Sequence, residues 1–289
     1  MLGHTKVLGV LGHPITHSLS PVMHNAAIEA LNIDYVYVPF HVLPEDLEQA
    51  VRGLRALSIA GVNVTIPHKE QIIEHLDEVG ESAARIRSVN TVINCNGRLK
   101  GETTDGPGFL RSAEAAWGKF DGANVLILGA GGSAKAVAFA LADAGCRIVI
   151  ANRTTQRGVA LAQALTEVFG DGRSTAVPLL SEELPDQVRG ADVLVNTSSV
   201  GMHPDVDGIP LSPELLRRDL LVYDLIYNPA KTRLVREAEA RGAHAVTGLK
   251  MLVYQGALSF EMWTGVEAPI EVMENALNAH FVQHQGSRT

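Results

Sequence analysis

The chain has 289 residues, of which 46% are hydrophobic and 19% charged, with 27 glycines. This composition suits a compact α/β protein of one or two domains and excludes a disordered or fibrous chain. The formal net charge is -8 and no block of basic residues occurs, which argues against a nucleic-acid partner.

Short apolar runs alternate with helical periodicity along the chain, which predicts βαβ units and a largely parallel sheet. The predicted strands are residues 7–12, 35–40, 61–66, 124–129, 147–152, 192–197 and 220–225. The predicted helices include 21–31, with Ser20 as N-cap, then 45–57, and 133–144, which ends at Gly145. A further helix over 249–265 is too apolar to stand alone, so we expect it to pack on an earlier part of the chain.

Two features bear on the compartment. Cys95 and Cys146 lie far apart and form no CxxC motif, which favours a reducing environment. The N-terminal residues lack the long apolar segment of a signal peptide, so we expect a cytoplasmic protein. The most apolar long stretch, residues 124–151, carries three charged residues at strand and helix spacing, and we interpret it as a buried βαβ unit instead of a membrane span.

The first polar cluster follows the first predicted strand, in GHPITHSLSPVMHN at residues 12–25. Ser18 and Ser20 would lie near the positive end of the helix that begins with Pro21, a suitable place for a carboxylate. The residues alone leave an equal alternative, in which Ser20 only caps the helix. Histidines in this part of the chain show no metal-ligand spacing, so no metal is predicted; they are His13, His17, His24 and His68.

The second cluster is GVNVTIPHKE at residues 61–70, where a strand ends and a helix running to Leu76 is predicted to have Lys69 in its first turn. Asn63, Thr65 and Lys69 would then lie at the carboxyl edge of the sheet, where open α/β sheets bind ligands. Lys69 could equally be a surface lysine. The functional interpretation gains from Asp105, a lone carboxylate in the Gly-rich boundary segment 101–109, which could face Lys69.

The strand at 124–128 is followed by GAGGSA, so that Gly129, Gly131 and Ala134 fit the dinucleotide-binding pattern G-x-G-x-x-G/A. The first glycine allows a tight turn, the second lets the backbone approach a pyrophosphate, and the small third residue lets the helix pack on the strand. The helix start supplies unpaired N–H groups to the phosphates. A purely structural glycine turn is the alternative.

The next strand ends at Asn152-Arg153-Thr154, with Arg157 one turn later. An NAD-dependent enzyme usually has an acidic residue here, which accepts a hydrogen bond from the ribose 2′-hydroxyl. A guanidinium instead binds a 2′-phosphate and stacks on adenine. NADP(H) is therefore the predicted cofactor, and the alternative is an arginine that is merely solvated.

Motifs along nearly the whole chain resemble those of the shikimate dehydrogenase family. In order, they are PITHSLSPVMHNAA, GVNVTIPHK, VNT, TDGPGF, GAGGSAKAV, NRT, NTSSVGM, YDLIYNP, GLKMLVYQG and FEMWTG. The resemblance implies a reversible, NADPH-dependent reduction of 3-dehydroshikimate to shikimate in aromatic amino-acid biosynthesis. It also implies a discontinuous α/β substrate-binding domain, residues 1–105 and 245–289, and a Rossmann-type NADP-binding domain, residues 106–244.

The resemblance also implies roles for individual residues. Ser18 and Ser20 would hold the substrate carboxylate, and Lys69 with Asp105 would be catalytic. The remaining substrate contacts would be Thr65, Asn90, Tyr227 and Gln255, together with Asp105 itself. The cofactor contacts would be Glu81, Gly129, Ala130, Gly131, Gly132, Ser133, Asn152, Arg153, Thr154, Arg157, Leu225 and Gly248. An ordinary lysine is protonated at neutral pH, so we expect Lys69 to donate a proton to the ketone instead of acting as a standing base.

Three positions depart from the usual pattern of this family. Thr103 stands where Asn is usual, Arg87-Ser88 replaces Gly-Ala, and His13 replaces a frequent Asn. Two other functions remain open: an enzyme of the same superfamily that accepts quinate or uses NAD, and a non-catalytic NADP-binding regulator. The presence of Lys69 and Asp105 argues against the regulator. The partner is expected to be a small molecule, with no membrane partner, and the protein a monomer or homodimer.

Overall fold

The structure is a computed structural model, and it describes residues 2–285. It divides into two compact units, each with its own sheet. One unit contains the chain up to Thr104 and the chain from Leu252 onward, and the other contains Asp105–Met251. The ends of the predicted first domain, Met1 and residues 286–289, lie outside the described residues.

The strands are β1 (Lys6–Gly12), β2 (Tyr35–His41), β3 (Gly61–Val64), β4 (Glu78–Val79), β5 (Thr91–Cys95), β6 (Arg98–Glu102), β7 (Asn124–Leu128), β8 (Arg147–Asn152), β9 (Ser174–Pro178), β10 (Val193–Asn196), β11 (Leu221–Asp224) and β12 (His244–Thr247). The helices are α1 (Ser20–Leu31), α2 (Leu47–Ala56), α3 (Glu81–Ile86), α4 (Asp105–Trp117), α5 (Gly132–Asp143), α6 (Thr155–Phe169), α7 (Leu184–Gly190), α8 (Arg233–Ala240), α9 (Gly248–Thr264) and α10 (Ile270–Gln285). This is the mixed α/β architecture that the alternating pattern predicts.

The sheet of the first unit has the order β2-β1-β3-β5-β6-β4. β1 pairs in parallel with β2 and β3, whereas β5 runs antiparallel to both β3 and β6. The prediction of a largely parallel sheet is therefore confirmed except around β5, which runs antiparallel to its two neighbours, while β4 again pairs in parallel with β6. The cause is the β5–β6 hairpin, whose two connecting residues, Asn96 and Gly97, both have positive φ angles, as such a tight turn requires.

The sheet of the second unit is entirely parallel, with the order β12-β11-β10-β7-β8-β9. Counted from the first strand of the unit, this is the 3-2-1-4-5-6 order of a doubly wound dinucleotide-binding fold. The strand order reverses between β7 and β10. Ligands of such sheets bind at the carboxyl ends of the strands at this switch point.

The structure changes two of the predicted helix starts. The segment from Lys69 is a turn followed by a short 3-10 helix, Gln71–His75, because the Lys69 carbonyl accepts a hydrogen bond from Val89 N at 2.9 Å and serves a tertiary contact. Ser20 is the first residue of α1 and makes no capping bond. Instead, Ser18 Oγ accepts the Ser20 N–H at 3.4 Å.

The apolar C-terminal helix packs on the first unit, as predicted. Trp263, near the end of α9, donates from Nε1 to the Val92 carbonyl at 3.0 Å, and Gly61 on the neighbouring strand leaves no room for a Cβ beside this ring. α10 then packs along α1. No helix among residues 2–285 has both the length and the apolar character to cross a membrane.

Arg87 ends α3 in the left-handed region, with φ 51° and ψ 47°. Its N–H group donates to the Ala84 carbonyl at 3.1 Å, and Ser88 N donates to the Ala83 carbonyl at 3.0 Å. Glycine adopts this conformation without steric cost, so arginine closes the same kind of helix end at a penalty of about 1–2 kcal/mol. The turn before Asn90 thus forms with arginine at this position.

A buried histidine sits in the core of the first unit. His24 on α1 is fully buried, its ring stacks on Tyr37 at 4.3 Å between centroids, and neither ring nitrogen has a hydrogen-bond partner within residues 2–285. Burial lowers the pKa of His24 from 6.5 to about 3, because the apolar surroundings disfavour the imidazolium ion. The folded protein therefore keeps this side chain neutral at pH values where the unfolded chain protonates it.

We expect His24→Phe to flatten the fall in stability on acidification. Since the unfolded state binds the extra proton, the free energy of unfolding falls as the pH drops below about 6.5, by up to about 1.4 kcal/mol per pH unit for this one group. Urea unfolding between about pH 5 and about pH 7.5 measures the slope. His203→Gln, which removes an exposed histidine, should keep the wild-type slope. Equal slopes for wild type and His24→Phe would contradict the assignment.

Candidate active site

In the first unit, two loops leave the same edge of the sheet. β1 and β3 are parallel neighbours, so the loop that carries Ser18 and the segment that carries Thr65 and Lys69 both start at carboxyl strand ends. The backbone ties the two together, because His13 N donates to the Ile66 carbonyl at 3.1 Å and Thr65 N donates to the Leu11 carbonyl at 2.9 Å. Ser20 is buried, while Ser18, Thr65 and Lys69 are half-buried. Both serines thus lie at the start of α1, Ser20 as its first residue and Ser18 two residues before it.

Asn90 joins this edge from the antiparallel strand. It immediately precedes β5, whose start lies at the carboxyl end of β3, and its carbonyl accepts a hydrogen bond from Val64 N at 2.8 Å. Its side chain is 2% exposed and donates from Nδ2 to Thr104 Oγ1 at 2.8 Å and to Gln255 Oε1 at 3.3 Å. Gln255, on α9, is therefore brought to the same edge as Asn90.

A buried hydroxyl network supports Asn90, and sequence reasoning missed it. Ser259 on α9 is fully buried, and its Oγ lies 2.7 Å from Thr91 Oγ1 and 3.2 Å from Thr104 Oγ1. Thr91 Oγ1 and Thr104 N both donate to Asn90 Oδ1, at 3.0 and 2.7 Å. These bonds fix which end of the Asn90 carboxamide presents oxygen and which presents N–H groups.

Asn63 has a different place from the one predicted. Its carboxamide is 6% exposed and donates to the Asn90 carbonyl at 3.1 Å and to Ser259 Oγ at 3.0 Å, while it accepts the Tyr37 hydroxyl at 2.7 Å. The Asn63 side chain is thus hydrogen-bonded inside the core. It holds Asn90 and Ser259 in place and is not on the surface where a substrate would bind.

The remaining predicted substrate residues belong to the second unit. Asp105 is the first residue of α4 and is 8% exposed. Tyr227 is half-buried after β11, and burial raises the pKa of its phenol because water no longer stabilises the phenolate. The structure places these two residues in a different unit from Lys69.

The glycine-rich turn of the second unit lies at the switch point between β7 and β10. Gly129 has a φ of 117°, and a Cβ there would collide with Thr197 Oγ1, so only glycine fits. Gly131 caps α5, which begins at Gly132, and a Cβ at either position would meet open space. The exposed backbone and the first-turn N–H groups of α5, which lack partners within the helix, suit a pyrophosphate.

Two arginines follow the neighbouring strand. β8 pairs with β7 and ends at Asn152, whose Nδ2 donates to the Thr154 carbonyl at 2.8 Å and shapes the turn into α6. Arg153 and Arg157 stand exposed in this turn and in the first turn of α6. Residues 152–157 therefore include two guanidinium groups and no carboxylate at the strand end where a 2′-phosphate would lie, which fits NADP(H).

Leu225 and Gly248 meet at the end of β11. Gly248 N donates to the Ile226 carbonyl at 3.2 Å, and a Cβ on Gly248 would collide with the Leu225 carbonyl oxygen. Glu81 belongs to the first unit, whereas Leu225 and Gly248 belong to the second. It starts α3, is largely exposed and pairs with Arg85 at 2.9 Å. Within residues 2–285, no group of three or more His, Cys, Asp or Glu side chains could hold a metal ion.

Comparison with known proteins gives consistent matches along the chain. Three family models match: the shikimate dehydrogenase substrate binding domain at residues 10–92, shikimate / quinate 5-dehydrogenase at residues 111–204, and the shikimate 5′-dehydrogenase C-terminal domain at residues 248–277. The chain is 50% identical over 280 residues to the shikimate dehydrogenase (NADP+) of Methanopyrus kandleri, and the alignment covers 96% of each chain.

Solved structures agree. One is a shikimate dehydrogenase in complex with NADP+, which is 43% identical to the present chain with a TM-score of 0.92. The match covers 97% of each of the two chains. Another is shikimate 5-dehydrogenase from Thermus thermophilus in complex with NADP(H) and shikimate, which is 42% identical with a TM-score of 0.86. That match covers 95% of the present chain and 99% of the Thermus chain.

Proposed function

The chain belongs to the shikimate dehydrogenase family, and from this premise we propose that it catalyses the reversible, NADPH-dependent reduction of 3-dehydroshikimate to shikimate. It is then an oxidoreductase that acts on a CH–OH group in chorismate and aromatic amino-acid biosynthesis. The observation that carries the proposal is the convergence of Ser18, Thr65, Lys69 and Asn90 on one sheet edge. This combination of hydroxyl, amide and ammonium groups suits a hydroxy acid with a ring ketone, because each polar group of the substrate would find a hydrogen-bond partner.

In this proposal, one domain binds the substrate and the other binds the cofactor. Residues 1–105 and 245–289 form the substrate-binding catalytic domain, and residues 106–244 form the NADP-binding domain. Support for the second assignment comes from the all-parallel strand order and from the glycine turn at its switch point.

The cofactor would be held by groups of the second unit. The turn from Gly129 to Ser133 would bind the pyrophosphate through backbone N–H groups, and the segment from Asn152 to Arg157 would bind the adenosine ribose and its 2′-phosphate. Leu225 and Gly248 would contact the cofactor through their backbone. Glu81, which belongs to the first unit, would be a further contact. When bound, NADPH supplies the hydride that reduces the carbonyl carbon.

The substrate would lie at the edge of the first sheet. Ser18 and Ser20 would hold its carboxylate beside the start of α1. The ring hydroxyls would contact four side chains, Thr65, Asn90, Asp105 and Gln255, and Tyr227 would lie at the substrate as well. The fixed carboxamide of Asn90 supports this role, because its orientation is set before any ligand arrives.

Lys69 would handle the proton. Its ammonium group would donate a hydrogen bond to the ketone oxygen, stabilise the alkoxide as negative charge develops and then transfer its proton. Asp105 would orient the lysine and a substrate hydroxyl. No α-helix starts at Lys69, and the hydrogen bond from Val89 N to its carbonyl holds its backbone beside the residue that precedes Asn90.

Ser18→Ala is expected to raise KM for shikimate by about 10-fold to 100-fold with little change in kcat. A hydrogen bond to a charged group is worth about 1.5–3 kcal/mol, and the bond to the non-reacting carboxylate acts equally on ground state and transition state. Steady-state kinetics measures both constants. Ser82→Ala, at an exposed position on α3 of the same unit, is the control. An unchanged KM would argue against the carboxylate role.

The proposed activity is tested by following NADPH oxidation on addition of 3-dehydroshikimate and by identifying the product by mass spectrometry. We expect one shikimate formed for each NADPH consumed. A protein that binds NADPH and forms no shikimate would be a regulator of the same fold.

We further propose a cytoplasmic enzyme that is a monomer or homodimer and acts on a small molecule, without a nucleic-acid or membrane partner. Cys95 is exposed and Cys146 buried, and both are free thiols, which suits a reducing compartment. The net charge of -8 supports the absence of a nucleic-acid partner.

A further inference from the structure

A buried carboxylate at the end of β11 has no part in the chemistry described so far. Asp224 is fully buried and accepts three hydrogen bonds within the second unit. Oδ1 accepts from Asn196 Nδ2 at 3.0 Å and from Ile226 N at 3.1 Å, and Oδ2 accepts from Thr232 Oγ1 at 2.5 Å. Burial raises the pKa of this carboxyl, and the three donors oppose the rise. A buried acid with this many donors is costly unless its geometry serves a purpose.

The first donor leads to the switch point. Asn196 ends β10 and is paired with Asp224 in the register of the two strands. With its Nδ2 committed to Asp224, its Oδ1 accepts from both the N–H and the hydroxyl of Ser198, at 3.1 and 2.7 Å. A Cβ on Gly129 would lie 3.3 Å from Ser198 N, so this loop borders the glycine-rich turn.

The second donor leads to the segment after β11. Because Asp224 accepts the N–H of Ile226, it fixes the peptide group between Leu225 and Ile226, just before Tyr227. The Ile226 carbonyl in turn accepts from Gly248 N. The third donor, Thr232, accepts from Val235 N at 3.3 Å as the N-cap of α8 and so anchors the other end of the same loop.

Asp224 thus joins the two loops that follow β10 and β11. In a doubly wound sheet each half binds one mononucleotide, and the adenosine half lies against the first three strands, here β7, β8 and β9. β10 and β11 belong to the other half. The loops that Asp224 joins therefore border the nicotinamide end of the cofactor.

We propose that Asp224 is a positioning residue for the nicotinamide half of NADP(H), acting through the Asn196–Ser198 loop and the Leu225–Tyr227 segment that its carboxylate holds together. This inference rests on the proposed function. It assigns no contact between Asp224 and the cofactor, since the side chain is fully buried.

Asp224→Asn tests the inference, with two probes and isothermal titration calorimetry on the full chain. The amide keeps the shape and one oxygen but removes the charge and turns one acceptor into a donor toward Thr232. We expect the affinity for NADP+ to fall by about tenfold, while 2′,5′-ADP, which lacks the nicotinamide half, keeps its affinity within about twofold. A general loss of structure would weaken both probes together.

Two further sets of variants keep the test decisive if Asp224→Asn does not fold. Thr232→Val removes one donor to Asp224 and should weaken binding of NADP+ but not of 2′,5′-ADP. Thr232→Ser keeps the hydroxyl and should bind NADP+ as the wild type does. Asp192→Asn is the matched control, because Asp192 is an exposed carboxylate that accepts from Asn124 N at 2.8 Å at the opposite edge of the same sheet. It should leave both affinities unchanged.

Equal weakening of NADP+ and 2′,5′-ADP, or no weakening of NADP+, would overturn the positioning role. Failure of the wild-type chain to bind NADP+ at all would instead overturn the proposed cofactor, so the two failures are distinguishable.

Discussion

Lys69→Ala should lower kcat for shikimate oxidation by at least about a hundredfold and leave KM for shikimate nearly unchanged. General acid–base catalysis by a positioned group is typically worth about 10²–10⁴-fold, and Lys69 would act on charge that develops only in the transition state. Steady-state kinetics in both directions measures the effect. Substrate binding would remain with Ser18, Asn90 and Gln255.

The control is Lys100→Ala. Lys100 is on β6 of the same unit, where its Nζ pairs with Glu102 at 3.0 Å and with Glu78 at 3.5 Å. Its loss removes one positive charge from the unit without touching the sheet edge that carries Lys69, so activity should stay close to the wild-type value. Near-full turnover by Lys69→Ala would show that another group transfers the proton.

Arg153→Ala should raise KM for NADP+ by about 10-fold to 100-fold and leave KM for NAD+ nearly unchanged. The guanidinium would form charge-assisted hydrogen bonds with the 2′-phosphate that are together worth about 1.5–3 kcal/mol at this exposed position, and NAD+ has no such group. The exposed position of Arg153 after β8 allows the substitution without damage to the core. Kinetics with both cofactors at saturating shikimate measures the ratio.

Arg147→Ala is the matched control for this experiment. Arg147 begins β8, at the end of the strand opposite Arg153, and its Nε donates to Asn124 Oδ1 at 2.8 Å. The substitution should leave the cofactor preference as it is. A uniform rise of KM for both cofactors in Arg153→Ala would assign the arginine to the adenine or ribose and leave the 2′-phosphate without its proposed partner.

The sequence predicts those parts of the fold that depend on short stretches of chain. The apolar run before Gly129 and the small residues after it define β7, the turn and α5 almost to the residue. The two arginines after β8 stand where the pattern places them. Each of these features is set by backbone freedom, side-chain size or charge at neighbouring positions, which are visible without the rest of the chain.

The antiparallel pairing of β5 with β3 and β6 in the first sheet was open to prediction but was missed. Asn96-Gly97 is a strong hairpin signal, and Asn94 Oδ1 supports the turn by accepting Gly97 N at 2.7 Å. The flanking strands are short and partly polar, so hydrophobic periodicity alone did not reveal them.

Other features depend on contacts that are distant in sequence. The helix predicted at Lys69 is replaced by a turn because the N–H of Val89, twenty positions later, donates a hydrogen bond to the Lys69 carbonyl. Ser259 reaches Thr91 across an even larger separation, and nothing near either residue indicates the bond. Asp224 does carry a signal, since an acid at the end of an apolar strand needs partners, although its three donors cannot be identified from the sequence.

The most direct test of the central claim is the rate of the purified enzyme with shikimate and with quinate, each tested with NADP+ and with NAD+. We expect kcat/KM to be highest for shikimate with NADP+, since the roles proposed for the serine hydroxyls and Arg153 favour that pair, and to fall when either the substrate or the cofactor is exchanged. A higher kcat/KM for quinate, or equal values with NADP+ and NAD+, would contradict the assignment of this chain as an NADP-dependent shikimate dehydrogenase.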